Sequence, residues 1–371
     1  MQYLGLDYGI VGEGEESFAE LLDHLAYDKS IEKIAGLAYY HDNHLIINEN
    51  RFLTNLAENP PMNISKSNHY RKFHLESDKI ANIQTKRGCA FNCIYCPYQY
   101  LEGNKYRLRN IDTIIEEIKM AKKKYHTNKN FFTDSVFSYP TEFSQQLCRR
   151  LIESKVGIKW DAYINPKGIT EELINLYKES GCNHVAITPD ALIDKLLQVY
   201  QKGFTLDEVT NCIQLLRKAG ILFNINIIIG GPGEDENTID ETLQYCDKYL
   251  NGVEILIMCG MNFHFSNILR QKINLDKIFT DIANIDLGEA LLKNDFAKFQ
   301  RLKYFFPQQR KNNREFLKRI FTKIIAPHRI LVGCDPFSQT IVDEIMEGRI
   351  NTSQYDLHSL NTNDAPKAYN V

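Results

Sequence analysis

The chain has 371 residues, 43% of them hydrophobic and 25% charged, with a formal net charge of -3. That is the composition of a globular protein with room for a sizeable core, and the charge balance gives no argument for a polyanionic partner. No run approaches the ~18 apolar residues of a membrane span. Nine cysteines, an odd count with no signal peptide ahead of them, argue against a disulfide framework and for a cytoplasmic location.

From residue 83 onward short β-like runs alternate with amphipathic helical runs. A first strand at 83–85 leads into a cysteine-rich loop. Apolar Ile111, Ile114, Ile115 and Ile118 recur at helical spacing and predict a helix over 111–124. A strand at 131–133 ends at Asp134, and Pro140 opens a helix over 140–154. The strand at 158–162 ends near Asn165-Pro166, and the next helix, 171–180, stops at Gly181. A strand at 184–188 ends at Pro189-Asp190, and a helix over 206–219 stops at Gly220. The strand at 221–229 runs into Gly230-Gly231-Pro232-Gly233-Glu234, followed by a helix over 238–250 and a last strand over 253–259. Six strands alternating with helices predict an α/β fold with a parallel sheet. Parallel sheets carry their functional groups at the carboxyl ends of strands, where the cysteine loop, Asp134, Asn165, Asp190, the 230–234 turn and Met258-Cys259 all fall.

The chemistry concentrates in Arg87-Gly88-Cys89-Ala90-Phe91-Asn92-Cys93-Ile94-Tyr95-Cys96-Pro97-Tyr98. Three thiols in eight residues can wrap one corner of an inorganic cluster, yet they are one ligand short of a closed iron–sulfur or structural zinc site. A zinc site needs a fourth ligand. His69 and His74 lie upstream, but no second Cys or His pair sits at finger-like spacing. The other cysteines, Cys148, Cys182, Cys212, Cys246, Cys259 and Cys334, read as small buried hydrophobes.

The C-x3-C-x2-C spacing of Cys89, Cys93 and Cys96, with Tyr95 before the last, resembles the signature of the radical S-adenosylmethionine (SAM) superfamily. The resemblance implies a partial (β/α)6 TIM-type barrel with a helical carboxyl-terminal extension. It also implies a [4Fe–4S] cluster on the three cysteines, SAM on the remaining iron, and a low-potential electron donor of the flavodoxin or ferredoxin type. In this likeness Gly230, Gly231, Pro232 and Glu234 lie along SAM, with backbone N–H groups of the turn pointing outward. Asp134 accepts from the SAM ammonium with help from Ser135, Asn165 and Asp190 reach the ribose or carboxylate, and Tyr95 packs near the adenine or cluster. Lys105, Arg107 and Arg109 offer cations to a carboxylate or stay in a solvated loop. Each of these residues also has an ordinary reading as a cap, turn or lid.

Within the superfamily the chain looks like the vitamin-B12-type branch. The likeness runs through Val11-Gly12-Glu13-Gly14-Glu15-Glu16, the Pro60-Pro61 turn, Trp160, Asn165-Pro166 and Lys202-Gly203-Phe204. The D-x-H-x-x-G cobalt signature is absent. Asp42-Asn43-His44 imitates its start, with Ile47 where the glycine belongs. The exit Asn262-Phe263-His264-Phe265-Ser266 and the turn Pro189-Asp190-Ala191 also depart from the branch. Cobalamin is therefore not expected in this chain. The expected division is a remnant of the cobalamin-domain joint over 1–80, a radical SAM core over 81–262, a helical region over 263–350 and a disordered tail over 351–371. Residues 301–329 hold nine basic residues against one acidic, Glu315. They read as a helix over the open side of the barrel, or as a weak contact for an anionic membrane surface. The expected function is reductive SAM cleavage to start radical chemistry on an unidentified small molecule, lipid or peptide. The alternatives are a methyltransferase that borrows its cobalamin, and a non-catalytic paralogue that only holds the cluster.

Overall fold

A computed structural model describes residues 6–42, 44–54, 56, 80–259, 261–262, 303–304, 323–324, 330–333 and 342–343. The chain divides into two compact units: 1–90 with 97–127 and 133–135, and 91–96 with 128–132 and 136–371.

In the first unit β1 (Tyr8–Ile10), β2 (Leu37–His41) and β3 (His44–Ile47) form an antiparallel sheet with β2 in the middle. Tyr39 faces Tyr8 on one side and Ile46 on the other. The helix Glu15–Tyr27 adds Leu21 to a small core of Ile34, Leu37 and Tyr39. Its first turn carries Glu15 and Glu16, the sign that a helix amino terminus favours. Asp42 and His44 lie in the β2–β3 turn, where the imitation of a cobalt signature was read. Next come β4 (Ile80–Ile83) and a two-residue antiparallel pair, β5 (Lys86–Arg87) with β6 (Arg107–Leu108). The helix Ile111–Tyr125 starts where the Asn110 side chain accepts from the Thr113 N–H at 3.1 Å, and it buries Ile114, Ile115, Ile118 and Ala121.

The second unit carries six parallel strands in the spatial order β14-β11-β10-β9-β8-β7. These are β7 (Lys129–Phe132), β8 (Lys159–Ile164), β9 (Cys182–Asp190), β10 (Leu222–Ile229), β11 (Glu254–Cys259) and β14 (Ile330–Gly333). Helices Thr141–Glu153, Glu171–Glu179, Asp194–Val199, Leu206–Ala219 and Glu236–Tyr249 alternate with them in sequence, as an α/β partial barrel requires. The core is aromatic where β7 and β8 meet. Phe132, Phe137, Trp160 and Tyr177 are fully buried, with ring centroids 4.8–5.7 Å apart.

Two differences from the sequence reading stand out. Ile330–Gly333 is a strand beside β11, and β13 (Lys303–Tyr304) pairs antiparallel with β12 (Met261–Asn262), where helix was expected at both places. Most of the expected helical region over 263–350, including most of 301–329, and the tail from 351 lie outside the described residues. Among the described residues no helix is long and apolar enough to cross a membrane.

Candidate active site

The polypeptide enters the cysteine loop through a clasp in the first unit. Asp134, 2% exposed, accepts from the Thr85 N–H at 2.7 Å and the Thr85 hydroxyl at 2.5 Å. It also accepts from the Lys86 N–H at 3.2 Å and the Lys86 ammonium at 2.8 Å. Lys86 is equally buried. Two residues on, Gly88 sits at φ +91°, and a Cβ there would fall on the Lys105 carbonyl. Its N–H donates to Glu102 at 3.1 Å, and its carbonyl accepts from the Ser135 hydroxyl at 3.1 Å. The Cys89 N–H donates to the Gly103 carbonyl at 3.1 Å.

Two of the three cations read as candidate anion receptors, Arg107 and Arg109, are engaged within the same unit. Arg107 forks onto both Glu13 oxygens at 2.7 and 2.6 Å and onto the carbonyls of Leu53 and Glu102. Arg109 donates to Glu117 at 2.6 Å and to the Gln84 carbonyl. Arg87 reaches Glu15 at 2.5 Å. The Glu13–Glu15 segment, read in the sequence only as a joint, thus clamps both arms of the β5–β6 hairpin.

In the second unit Cys93 and Cys96 share a turn closed by the Cys96 N–H on the Cys93 carbonyl at 3.1 Å. Between them Ile94 is buried, and its N–H donates to the Tyr200 carbonyl at 3.2 Å. The Tyr95 hydroxyl donates to Asp190, and the Lys202 ammonium donates to Asp190 at 2.5 Å and to the Tyr95 hydroxyl at 2.8 Å. Asp190 reaches this position because β9 is bulged: Ile225 of β10 faces Ile187, while Ile227 faces Asp190, and Asp190 adopts φ 63°. Burial and the Asp190 carboxylate hold the Tyr95 hydroxyl well above its ordinary pKa, so it stays protonated and donates. Burial alone lowers the pKa of an ammonium. That of Lys202 is raised, because the Asp190 carboxylate and the Cys93 thiolate outweigh burial, with Cys96 adding to them.

The turn after β10 is rigid. Gly230 at φ +92° and Gly233 at φ +80° have conformations that side chains resist, and a Cβ on Gly231 would collide with the Tyr200 hydroxyl. The sequence reading has the N–H groups of this turn pointing outward. Those of Gly230 and Gly231 are directed at the buried Glu234 carboxyl instead. Burial pushes Glu234 up to about 8. Pro232 lies inside this turn, and a capping box between Asp235 and Thr238 starts the helix that follows. Asn165 uses its side chain locally, accepting from the Lys167 N–H at 2.9 Å, while its backbone meets Ser138.

The structure therefore groups Tyr95 with Asp190, and Gly230 with Gly231 and Glu234. It sets Asp134 and Asn165 in contacts of their own. Lys202 entered the sequence reading only as part of a likeness, and its twelve-residue separation from Asp190 gave no spacing signal. Cys89, Cys93 and Cys96 form no disulfide; the first is buried and the others half-buried. Among the described residues no three His, Cys, Asp or Glu side chains form a ready metal-holding group. The donor set still fits an iron–sulfur cluster in kind: three soft ligands on a loop whose backbone is pinned at Gly88, Cys89, Ile94 and Cys96.

The segment that carries these residues also matches known proteins. Residues 83–246 match the family model of the Radical SAM superfamily. An uncharacterized methyltransferase of Pyrococcus horikoshii is 24% identical over 66% of the chain and 53% of its own length. An anaerobic magnesium-protoporphyrin IX monomethyl ester cyclase of Rubrivivax gelatinosus is 24% identical over 69% of the chain and 46% of its own length. The chain thus spans about half the length of these curated relatives. Among solved structures, the radical SAM methyltransferase TsrM of Kitasatospora setae, bound to tryptophan and a SAM analogue, superposes with a TM-score of 0.60. That match is at 21% identity and covers 70% of this chain and 52% of TsrM. The cobalamin-dependent SAM radical enzyme OxsB matches with a TM-score of 0.53 at 19% identity, over 63% of this chain and 35% of its own. Identities this low speak for the fold alone.

Proposed function

We propose that the chain, whose residues 83–246 match the Radical SAM superfamily, is an enzyme that cleaves SAM reductively to begin radical chemistry on an organic substrate. The observation that carries the reading is the family match laid over three cysteines outside any disulfide, in C-x3-C-x2-C on a backbone-pinned loop. When bound, a reduced [4Fe–4S] cluster supplies the one electron that splits SAM into methionine and a 5′-deoxyadenosyl radical.

The protein's own groups hold and orient. Cys89, Cys93 and Cys96 are the proposed cluster ligands. The 230–234 turn, shaped by glycines at positive φ and by Glu234, is the proposed cradle for SAM, and Asn165 stands at another strand end where the nucleoside can be met. Asp134 acts through Thr85 and Lys86 and is a positioning residue in this proposal, not a direct ligand of the SAM ammonium. Tyr95 and Asp190 support the loop from below in the same way. A flavodoxin- or ferredoxin-type donor is the proposed partner, and the cytoplasm, where such donors work, is the proposed location. The division into 1–80, 81–262 and 263–350 is retained as part of the proposal.

A second reading is methyl transfer that draws on cobalamin from another segment or chain. The names of the relatives and structural neighbours favour it: an uncharacterized methyltransferase, TsrM and cobalamin-dependent OxsB. Products separate the two. Chain reconstituted with iron and sulfide without oxygen, reduced with dithionite and given SAM, with and without added cobalamin, is expected to release 5′-deoxyadenosine and methionine in both cases. S-adenosylhomocysteine in their place moves the assignment to methyl transfer, and a loaded cluster with neither product reduces the chain to a cluster-holding paralogue.

A further inference from the structure

Lys202 touches the segment between two candidate cluster ligands. Three contacts tie 200–204 to that segment. The Tyr200 carbonyl holds the Ile94 N–H at 3.2 Å. The Lys202 ammonium holds the Tyr95 hydroxyl at 2.8 Å and lies 5.4 Å from the centre of the Tyr95 ring. Gly203 leaves the space that the Phe91 ring occupies, 3.5 Å from where a Cβ would stand. Lys202 is 4% exposed, and the Phe204 ring, 5.8 Å from the ammonium, screens it further. Its ion-pair partner is Asp190, itself 9% exposed.

A fixed charge in such a place acts on an electron. One-electron reduction makes a cluster more negative, and a nearby cation sheltered from water favours that state far more than it would in bulk solvent. Asp190 works in the opposite sense. Resting on the cluster assignment above, we propose that Lys202 and Asp190 set the electron affinity of the cluster held through Cys93 and Cys96. Lys202 raises its midpoint potential and Asp190 restrains that rise, with Tyr95 holding the pair at the loop.

The test reads potential, not turnover. Full-length chain and variants are reconstituted with iron and sulfide, their iron and sulfide contents are matched, and the paramagnetic resonance of the reduced cluster is followed during redox titration. Lys202→Met is expected to lower the reduced-to-oxidised ratio at fixed potential about tenfold, a fall of about 59 mV for one electron. Asp190→Asn is expected to shift the midpoint upward, and Lys202→Arg to stay near the parent. The double variant Lys202→Met/Asp190→Asn carries no unpaired buried charge and is expected to lie below Asp190→Asn, so it decides the matter if Lys202→Met alone does not fold. Loaded clusters whose midpoints do not move, or both single variants moving in the same direction, overturn the inference. A parent chain that takes up no iron–sulfur cluster overturns the cluster assignment instead.

Discussion

Two buried aspartate–lysine pairs serve the same loop in different ways. In the first unit Asp134 takes four donors, two of them backbone N–H groups, and its lysine comes from the very next residue after Thr85. That pair closes on itself and fixes where the chain leaves β4. In the second unit Asp190 takes only side-chain donors, a phenol and an ammonium that arrive from far apart in sequence. That pair reaches into the loop. A carboxylate consumed by backbone secures a path, whereas one held by side chains leaves its charge available to what sits beside it.

The largest test of the contrast is Asp134→Ala. It strands the Lys86 ammonium in the core and is expected to cost about 3–5 kcal/mol, read as a drop in the urea midpoint of the apoprotein. Replacing both partners with apolar residues, Lys86→Met with Asp134→Leu, is expected to recover much of that loss. If it recovers nothing, the backbone contacts of Asp134 outweigh its charge pair. Gly231→Ala probes how far the second pair is braced, because the new methyl displaces Tyr200, two residues before Lys202. About 1–3 kcal/mol of overpacking is expected, with part of it relieved when Tyr200→Phe is added.

Glu234 sharpens the comparison as a buried carboxyl met by backbone N–H groups without a lysine. Its folded pKa of about 8 lies above the ordinary value of 4.5, so between these pH values the native state keeps a proton that the unfolded chain has released. Stability is therefore expected to fall as pH rises through this window, by at most about 1.4 kcal/mol per pH unit. Glu234→Gln should flatten that part of the profile in denaturation at pH 5, 6.5 and 8. The smallest effect belongs to Tyr95→Phe, which removes one donor to Asp190 while Lys202 remains. About 1 kcal/mol is expected.

Local signals carried most of the fold. The helix predicted over 206–219 forms with those bounds because Thr205 and Glu208 make a capping box at its start and Gly220 takes the left-handed conformation at its end. Those determinants lie within fifteen residues of one another, so a linear reading finds them. β14 was not legible, because four residues become a strand only through parallel pairing with β11, some seventy residues earlier. The site divides in the same way. The cysteine spacing and the glycine turn are local patterns. The approach of Lys202 to Tyr95 depends on the bulge in β9 and the positive φ of Asp190, which appear only once β9 and β10 are paired. The direction of the Gly230 N–H was misread for a related reason: a glycine-rich turn announces close approach, but not by what, and here the occupant is the chain's own Glu234.

Tyr200 touches both patterns with opposite ends. Its hydroxyl fills the space that Gly231 leaves, and its carbonyl receives the amide of Ile94. One residue thus joins the segment around Ile94 to the turn after β10, although more than a hundred residues separate the two in sequence. A disturbance at Gly231 is therefore passed straight to the stretch between Cys93 and Cys96.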